Sequence, residues 1–334
     1  MRTPGFDTPR PPSLSIDARP VLVVGGPTAS GKSALALDLA EELGGVVVNA
    51  DSMQLYGDLR ILTARPSEAD EARVPHRLYG VLSAQDRSTA ITWRDRALAE
   101  IAAAHGAGRV PVLVGGTGLY LKALMDGLPA VPAVDEAVRA AVQARLAAEG
   151  VQALHAWLAR WDPVTAARLA PGDTQRVARA VEVLEGTGRP LSAWLADAAP
   201  RPPSGLRFVV AVLNPPRDRL YATCDRRFLA MLDLGALDEV AALLAKGLAG
   251  DLPVMKVIGV RELGDHLQGR ASLDDAVRRA QQATRNYAKR QATWFRHQLA
   301  GGAGRTLMCF PAPPPARDPA FRTLVAEVGG SRGG

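Results

Sequence analysis

The segment Gly26-Pro27-Thr28-Ala29-Ser30-Gly31-Lys32-Ser33 constrains this chain more than any other, because it fits GxxxxGK[ST], a loop whose backbone amides wrap a phosphate. The pattern carries that meaning only between a strand and a helix. Here Val21 to Val24 form a short β-branched run closed by Gly25 and Gly26, which reads as a buried strand, and a helical pattern runs from Lys32 to about Leu43. The glycines let N–H groups face an anion, and the start of the helix adds partial positive charge. Lys32 adds a full positive charge, and the Ser33 hydroxyl can ligate Mg2+. Such a loop holds a di- or triphosphate at the carboxyl edge of a sheet.

Val46 to Val48 and Val110 to Val114 read as further buried strands, with an amphipathic helix from Arg94 to His105 between them. Strands alternating with helices predict a parallel sheet with right-handed crossovers. After Gly127 the texture becomes helical, from Asp135 to about Leu195, and Phe208 to Leu213 then reads as a returning strand. The expected fold class is therefore α/β: a P-loop NTPase-like parallel sheet core flanked by helices, with an all-helical insertion domain. Helices resume from about Asp218 to Gln298, and Leu307 to Phe310 reads as a final strand. The expected boundaries are a disordered tail at 1–19, a core at 20–127 and 205–311, and the insertion at 128–204. A poorly ordered tail at 312–334 is expected from the proline run between Pro311 and Pro315.

With 47% apolar residues the chain can bury such a core. Its charge of +6 and pI near 9.7 suit an acidic partner, though only the placement of the cations gives that meaning. Cys224 and Cys309 have no metal-like or disulfide spacing, and His76, His105, His155 and His266 share no ligand spacing, so a reducing cytoplasm is expected. No apolar run approaches the roughly 20 residues of a membrane span, and the opening stretch lacks the apolar centre of a signal peptide. No membrane association and a monomer are the expectations.

Asp51 follows the second strand, which puts its carboxylate beside the phosphate loop, where it could hold Mg2+, take a proton from a nucleophile, or cap a turn. Gly115-Gly116-Thr117-Gly118 ends the third strand at the same edge, where a ligand can approach the backbone closely and Thr117 offers a hydroxyl. The helix from about Asp274 to Gln298 groups Arg278, Arg285, Lys289 and Arg296 within about 40° on a helical wheel, and Arg279, Asn286, Arg290 and His297 form a second stripe. Ala283, Tyr287, Trp294 and Phe295 occupy the remaining, apolar arc, and no acidic residue occurs from Ala276 through Arg317. A polyanion-facing surface is the expectation. In the insertion, Gln175, Arg176 and Arg179 share one helical edge, which suits solvent as well as a ligand.

Together these residues resemble the bacterial tRNA dimethylallyltransferases, also called tRNA isopentenyltransferases, from about Val21 to Phe310. The resemblance is carried by GPTASGKS at Gly26 to Ser33, NADSMQLY at Asn49 to Tyr56, TARPS at Thr63 to Ser67 and LVGGTGLYLKAL at Leu113 to Leu124. VPH at Val74 to His76, QRVARAVEV at Gln175 to Val183, TGRPLS at Thr187 to Ser192, RDRLY at Arg217 to Tyr221, IGVREL at Ile258 to Leu263 and YAKRQATWFR at Tyr287 to Arg296 also carry it. Leu62 stands where the family has Gly, and Val260 where it has Tyr.

The resemblance implies transfer of a dimethylallyl group from its diphosphate to N6 of the adenine next to the anticodon. The P-loop residues Gly26, Pro27, Thr28, Ala29, Ser30, Gly31, Lys32 and Ser33, with Arg227, would then hold the diphosphate, and Ser33 the Mg2+. Asp51 would be the general base, Thr117 would line the channel, and Lys32 would stabilise the leaving group. Contacts to the tRNA anticodon stem-loop would come from Asp51, Ser52, Met53, Gln54, Thr117, Arg139, Gln175, Arg176, Val177, Ala178, Arg179, Lys256, Arg261, Lys289, Arg290, Gln291 and Arg296. The residues alone leave rivals open: a small-metabolite kinase, prenyl transfer to free AMP or ADP, and a nucleotide-gated RNA-binding switch.

Overall fold

Successive residues of a strand face opposite sides of a sheet, and in this chain both sides are buried. Val21, Val23, Val48, Leu113, Val210 and Val212 fall in one apolar cluster, while Leu22, Val24, Val47, Val112, Val209 and Ala211 fall in another. This is why the strands read as continuous β-branched runs. The computed structural model describes residues 18–129, 131–197, 202–299 and 305–330. Apart from Ala18 and Arg19, the expected N-terminal tail lies outside these residues, as does the end of the expected C-terminal tail at 331–334.

In chain order the first part comprises β1 (Arg19–Gly25), α1 (Lys32–Glu42), β2 (Val46–Asn49), α2 (Glu68–Arg73), β3 (His76–Arg77), α3 (Ala90–Gly106), β4 (Pro111–Gly115) and α4 (Gly118–Met125). A helical stretch follows, with α5 (Glu136–Glu149), α6 (Val151–Trp161), α7 (Pro163–Arg168), α8 (Thr174–Thr187) and α9 (Leu191–Asp197). The chain then continues through β5 (Leu206–Leu213), α10 (Arg217–Asp233), α11 (Ala236–Leu244), α12 (Val260–Leu267), α13 (Leu273–Gln298), β6 (Arg305–Phe310) and α14 (Pro319–Gly329). The strands form one sheet of order β3-β2-β4-β1-β5-β6, and every pairing in it is parallel. β1 is central, between β4 and β5, so the loop that leaves it opens at the middle of the carboxyl edge.

The chain divides into two compact units, Met1–Met125 with Pro203–Gly334, and Asp126–Pro202. The second unit has its own core, in which Val142, Leu154, Leu158, Val177, Ala180 and Val181 are fully buried. In the first unit a third cluster joins α10 to α13 and the segment after β2. Leu62 and Val260, two of the departures from the family pattern, both lie in it, and a Cβ on the intervening Gly259 would stand 2.8 Å from Leu62 Cδ2. Val260 is 1% exposed, so it offers no surface to a ligand.

The expectation of a poorly ordered tail beyond Pro311 fails for α14. Asp318 accepts a hydrogen bond from the Ala320 amide at 2.8 Å and Pro319 occupies the first helical turn, a start signal that the proline-rich composition obscured. Phe321, Leu324 and Val328 then share one helical face, buried against the sheet with α1. Replacing the fully buried Leu324 by Ala should lower stability by about 2–5 kcal/mol, read as a shift of the urea midpoint. A midpoint unchanged within error would mean that this helix does not dock.

Candidate active site

The P-loop turns tightly because Gly26, Ala29 and Gly31 all take positive φ, 151°, 63° and 89°. Gly31 is the N-cap of α1 and brings no side chain to it, so the first-turn amides stay open towards an anion. Ala29 has no such freedom. A non-glycine residue in the left-handed region costs on the order of 1 kcal/mol and persists only where its surroundings hold it.

Lys32 bends back over this loop and donates to the Pro27 carbonyl at 3.2 Å. Burial of its ammonium lowers the pKa from the ordinary lysine value to about 8. Asp51 opposes that shift, Arg227 adds to it, and Cys224 opposes it. Ser30 is 5% exposed, and its hydroxyl has no partner among the described residues. Ser33 is exposed at the first turn of α1, beside a cavity of about 230 Å3 that is also lined by Asp38, Arg65, Asp70, His76 and Tyr79. No group of three or more His, Cys, Asp or Glu able to hold a metal occurs among the described residues. A divalent ion here would rely on the Ser33 hydroxyl, phosphate oxygens and water, the ligand set that Mg2+ prefers, and the cavity leaves room for it.

Two helices grip the P-loop from outside. Arg227 of α10 donates from Nη2 to Thr28 Oγ1, and burial lowers its pKa from the ordinary arginine value. From α13, Gln291 Oε1 accepts from the Thr28 amide at 2.8 Å, while its Nε2 donates to the Gly116 carbonyl at 2.8 Å. The expectation that Gln291 touches tRNA is thereby corrected: it is 5% exposed, and both ends of its amide are spent on backbone. Close approach of α13 also needs bare glycines. A Cβ on Gly25 would lie 2.6 Å from the Phe295 ring, and one on Gly118 would enter the Trp294 ring.

Asp51 stands past β2 on a braced turn. The buried Asn49 accepts from the Asp51 amide at 2.8 Å and donates to the Asp51 carbonyl at 2.9 Å and the Leu78 carbonyl at 3.0 Å, while Trp93 Nε1 donates to the Asn49 carbonyl at 2.8 Å. One Asp51 carboxylate oxygen accepts from the Met53 amide at 3.0 Å. Thr117, after β4, accepts from the Ser52 amide at 2.9 Å and donates to the Ser52 hydroxyl at 3.3 Å. The Tyr287 hydroxyl lies near Thr117, and burial together with the nearby Asp51 charge raises its pKa. Tyr79 is likewise raised by burial and by Asp51. Sequence reasoning missed both tyrosines, assigning Tyr287 to the apolar arc of its helix. The available signal was its i, i+4 spacing to Gln291, which puts the two on one face.

The remaining expected residues divide by exposure. In the first unit Lys256, Arg261, Lys289, Arg290 and Arg296 are exposed. Gln54 spends its amide nitrogen on the Thr63 and Ala64 carbonyls, both at 2.9 Å. The basic stripe of α13 is only half as free as the helical wheel suggests, because acids reach it from its own N-terminus and from neighbouring helices. Arg278 pairs with Asp275, Arg279 with Asp265 at 3.0 Å and Arg285 with Asp225 at 2.6 Å, whereas Lys289, Arg290 and Arg296 have no ion pair among the described residues. The buried stripe, Ala276, Ala280, Thr284, Ala288, Gln291 and Phe295, is rotated from the arc expected. In the second unit Gln175 and Arg176 are exposed, and Arg139, Arg176 and Arg179 pair with Glu136, Asp173 and Glu182. Val177 and Ala178 are 0% and 3% exposed, which corrects their assignment to RNA contact: they face the core of that unit.

The model of the IPP transferase family matches residues 54–298. The chain is 65% identical to the tRNA dimethylallyltransferase of Rhodospirillum centenum over 282 residues, 84% of this chain and 90% of that one. It is 58% identical to the tRNA dimethylallyltransferase of Rhodopseudomonas palustris strain BisB18 over 280 residues, 83% and 88% of the two chains. The crystal structure of full-length tRNA isopentenylpyrophosphate transferase from Bacillus halodurans matches with a TM-score of 0.65 at 31% identity, covering 94% of this chain and 96% of that one.

An anion needs Lys32 charged, and the ammonium is fully charged only below its pKa of about 8. Pyrophosphate affinity should hold below that pH and fall as pH rises above it, with proton uptake on binding in calorimetry. Subtracting the same titration of Lys32→Met removes the ligand's own ionisation. Identical pH profiles for the two proteins would show that Lys32 does not meet the ligand.

Proposed function

The chain belongs to the IPP transferase family, and we propose from that premise how its residues divide the work of the family's reaction. It is a prenyltransferase that moves a dimethylallyl group from dimethylallyl diphosphate to N6 of the adenine adjacent to the anticodon of tRNA, releasing diphosphate. One observation supports the division of roles best. The P-loop, Asp51 and Thr117 leave β1, β2 and β4, three adjacent strands of the sheet, at the same edge, and Tyr287 and Gln291 of α13 reach both the loop and the threonine turn.

In this reading the N6 lone pair forms a bond to the first carbon of the dimethylallyl group while the bond from that carbon to the diphosphate oxygen breaks. The electrons of the broken bond leave with diphosphate, and the N6 proton passes to the Asp51 carboxylate, whose second oxygen accepts no other hydrogen bond among the described residues. Lys32, Arg227 and the open amides of α1 stabilise the leaving charge. Removing one such preorganised donor typically costs about 3 kcal/mol of barrier. Mg2+, held at Ser33 and on the diphosphate, would supply further charge neutralisation. Thr117 and Tyr287 line the approach of the adenine, which has to leave the anticodon stack to reach them. The unpaired Lys289, Arg290 and Arg296, with Lys256 and Arg261, meet the tRNA backbone, and Arg139, Gln175, Arg176 and Arg179 of the helical unit add further contacts to the anticodon stem-loop. The reading places the enzyme with its substrate in the cytoplasm.

Incubation with labelled dimethylallyl diphosphate and either unmodified tRNA or AMP tests the acceptor, and label in AMP alone would replace tRNA with a free nucleotide. Asp51→Asn keeps the oxygen that accepts from Met53, so it should keep affinity for both substrates while turnover falls by roughly 10²–10⁴. Wild-type turnover in that variant would remove the base from Asp51. Neutralising Lys289 and Arg290 together should weaken tRNA binding and reduce the log–log salt slope by about 0.7–0.9 per lost phosphate contact. An unchanged slope would return that surface to a role in solvation.

A further inference from the structure

Thr28 is held at two points. Its hydroxyl accepts from Arg227 and keeps its own proton to donate, while its amide donates to Gln291 and is spent before a phosphate arrives. The residue after it, Ala29, sits at φ 63°, a conformation that an alanine leaves unless it is restrained. Ala29 packs against Leu220 and Cys224 of α10 and Ala288 of α13, and the buried Gln291 of α13 is also bonded to the Gly116 carbonyl, directly before Thr117. One side chain thus spans the loop that takes the diphosphate and the turn that faces the acceptor base. A Cβ on Gly116 would collide with the same amide nitrogen, so this turn is shaped around Gln291.

We infer that Gln291 is a positioning residue for the transfer: it sets the distance between the diphosphate loop and the Thr117 turn, and so the alignment of the allylic carbon with N6. The inference rests on the reading of the site given above. Its amide is suited to the task because it accepts at one end and donates at the other, which matches an N–H on the loop and a C=O on the turn. Neither a carboxylate nor a thioether of the same length provides both. Gln291 touches no substrate, so its effect passes through Thr28 and Gly116. A misplacement of about 1 Å between reacting groups can cost on the order of 10² in rate.

Gln291→Met keeps length and volume but removes both hydrogen bonds. The full-length variant should show a kcat for tRNA prenylation reduced on the order of 10²-fold, a KM for dimethylallyl diphosphate raised about tenfold, and a tRNA dissociation constant within about twofold of wild type. Calorimetry with inorganic pyrophosphate and Mg2+, without tRNA, should show the same tenfold loss. Gln291→Glu, which can still accept from Thr28 but opposes the Gly116 carbonyl, should not restore kcat.

Loss of thermal stability with kcat and both affinities unchanged would overturn the inference, leaving a packing role. A weakened tRNA affinity equal to the loss in kcat/KM would overturn it in favour of RNA contact. Should the methionine variant fail to fold, hydrogen exchange on the ligand-free wild type decides. The Thr28 amide should be protected, and exchange at the rate of an open loop would overturn the inference. Wild-type protein that binds pyrophosphate but never prenylates tRNA would defeat the proposed reaction instead, while the pyrophosphate arm would still measure the effect of Gln291 on the loop.

Discussion

A lysine ammonium kept from water either gives up its proton more readily or is met by an anion. In this chain Lys32 shares a cramped edge of the sheet with Arg227, and Asp51 is the one carboxylate that eases its burial. Two cations facing one acid leave the site short of negative charge. The deficit is filled when a diphosphate arrives, so recognition and the stabilisation of a leaving anion come from the same imbalance. Much of the surrounding structure keeps that imbalance in place: the buried Asn49 that fixes the aspartate turn, the bare glycines under α13, and the clamp on Thr28.

α13 has two unlike sides. Ala276, Ala280, Ala288 and Phe295 pack inward, and Gln291 at the same depth holds the loop and the turn together. Lys289, Arg290 and Arg296 are exposed without acidic partners among the described residues, and Tyr287 lies near Thr117 between the two sides. A single rigid element therefore carries the surface offered to a polyanion and the internal strut of the catalytic edge. This economy explains why Gly25, Gly116 and Gly118 are bare where Phe295, Gln291 and Trp294 of the helix press close.

The fold was legible where the chain obeys a short period. The β-branched runs fixed β1, β2, β4 and β5, and the glycine-lysine loop fixed which edge carries chemistry, because these signals are local. Partners distant in sequence were illegible. Arg285 reads as a free cation until α10 brings Asp225 to 2.6 Å, and Gln291 reads as a surface residue between cations until the sheet edge is seen against it. Val177 and Ala178 sit inside a motif otherwise made of polar and charged residues, and only the turn of α8 shows them facing inward. The two-residue β3 is too short to leave a period, and the proline run hid the helix beyond it.

The position of β1 has a consequence for how the polypeptide acquires its shape during synthesis. The phosphate loop leaves a strand whose neighbours are β4, made before the helical unit, and β5, made after it. Until β5 emerges from the ribosome, the central strand has an open flank and the loop lacks its backing. The intervening helical unit has a core of its own and largely local contacts, so it can mature while the nascent sheet waits. Productive assembly is thus gated by the late segment, and an incomplete translation product would expose the apolar edge of β1.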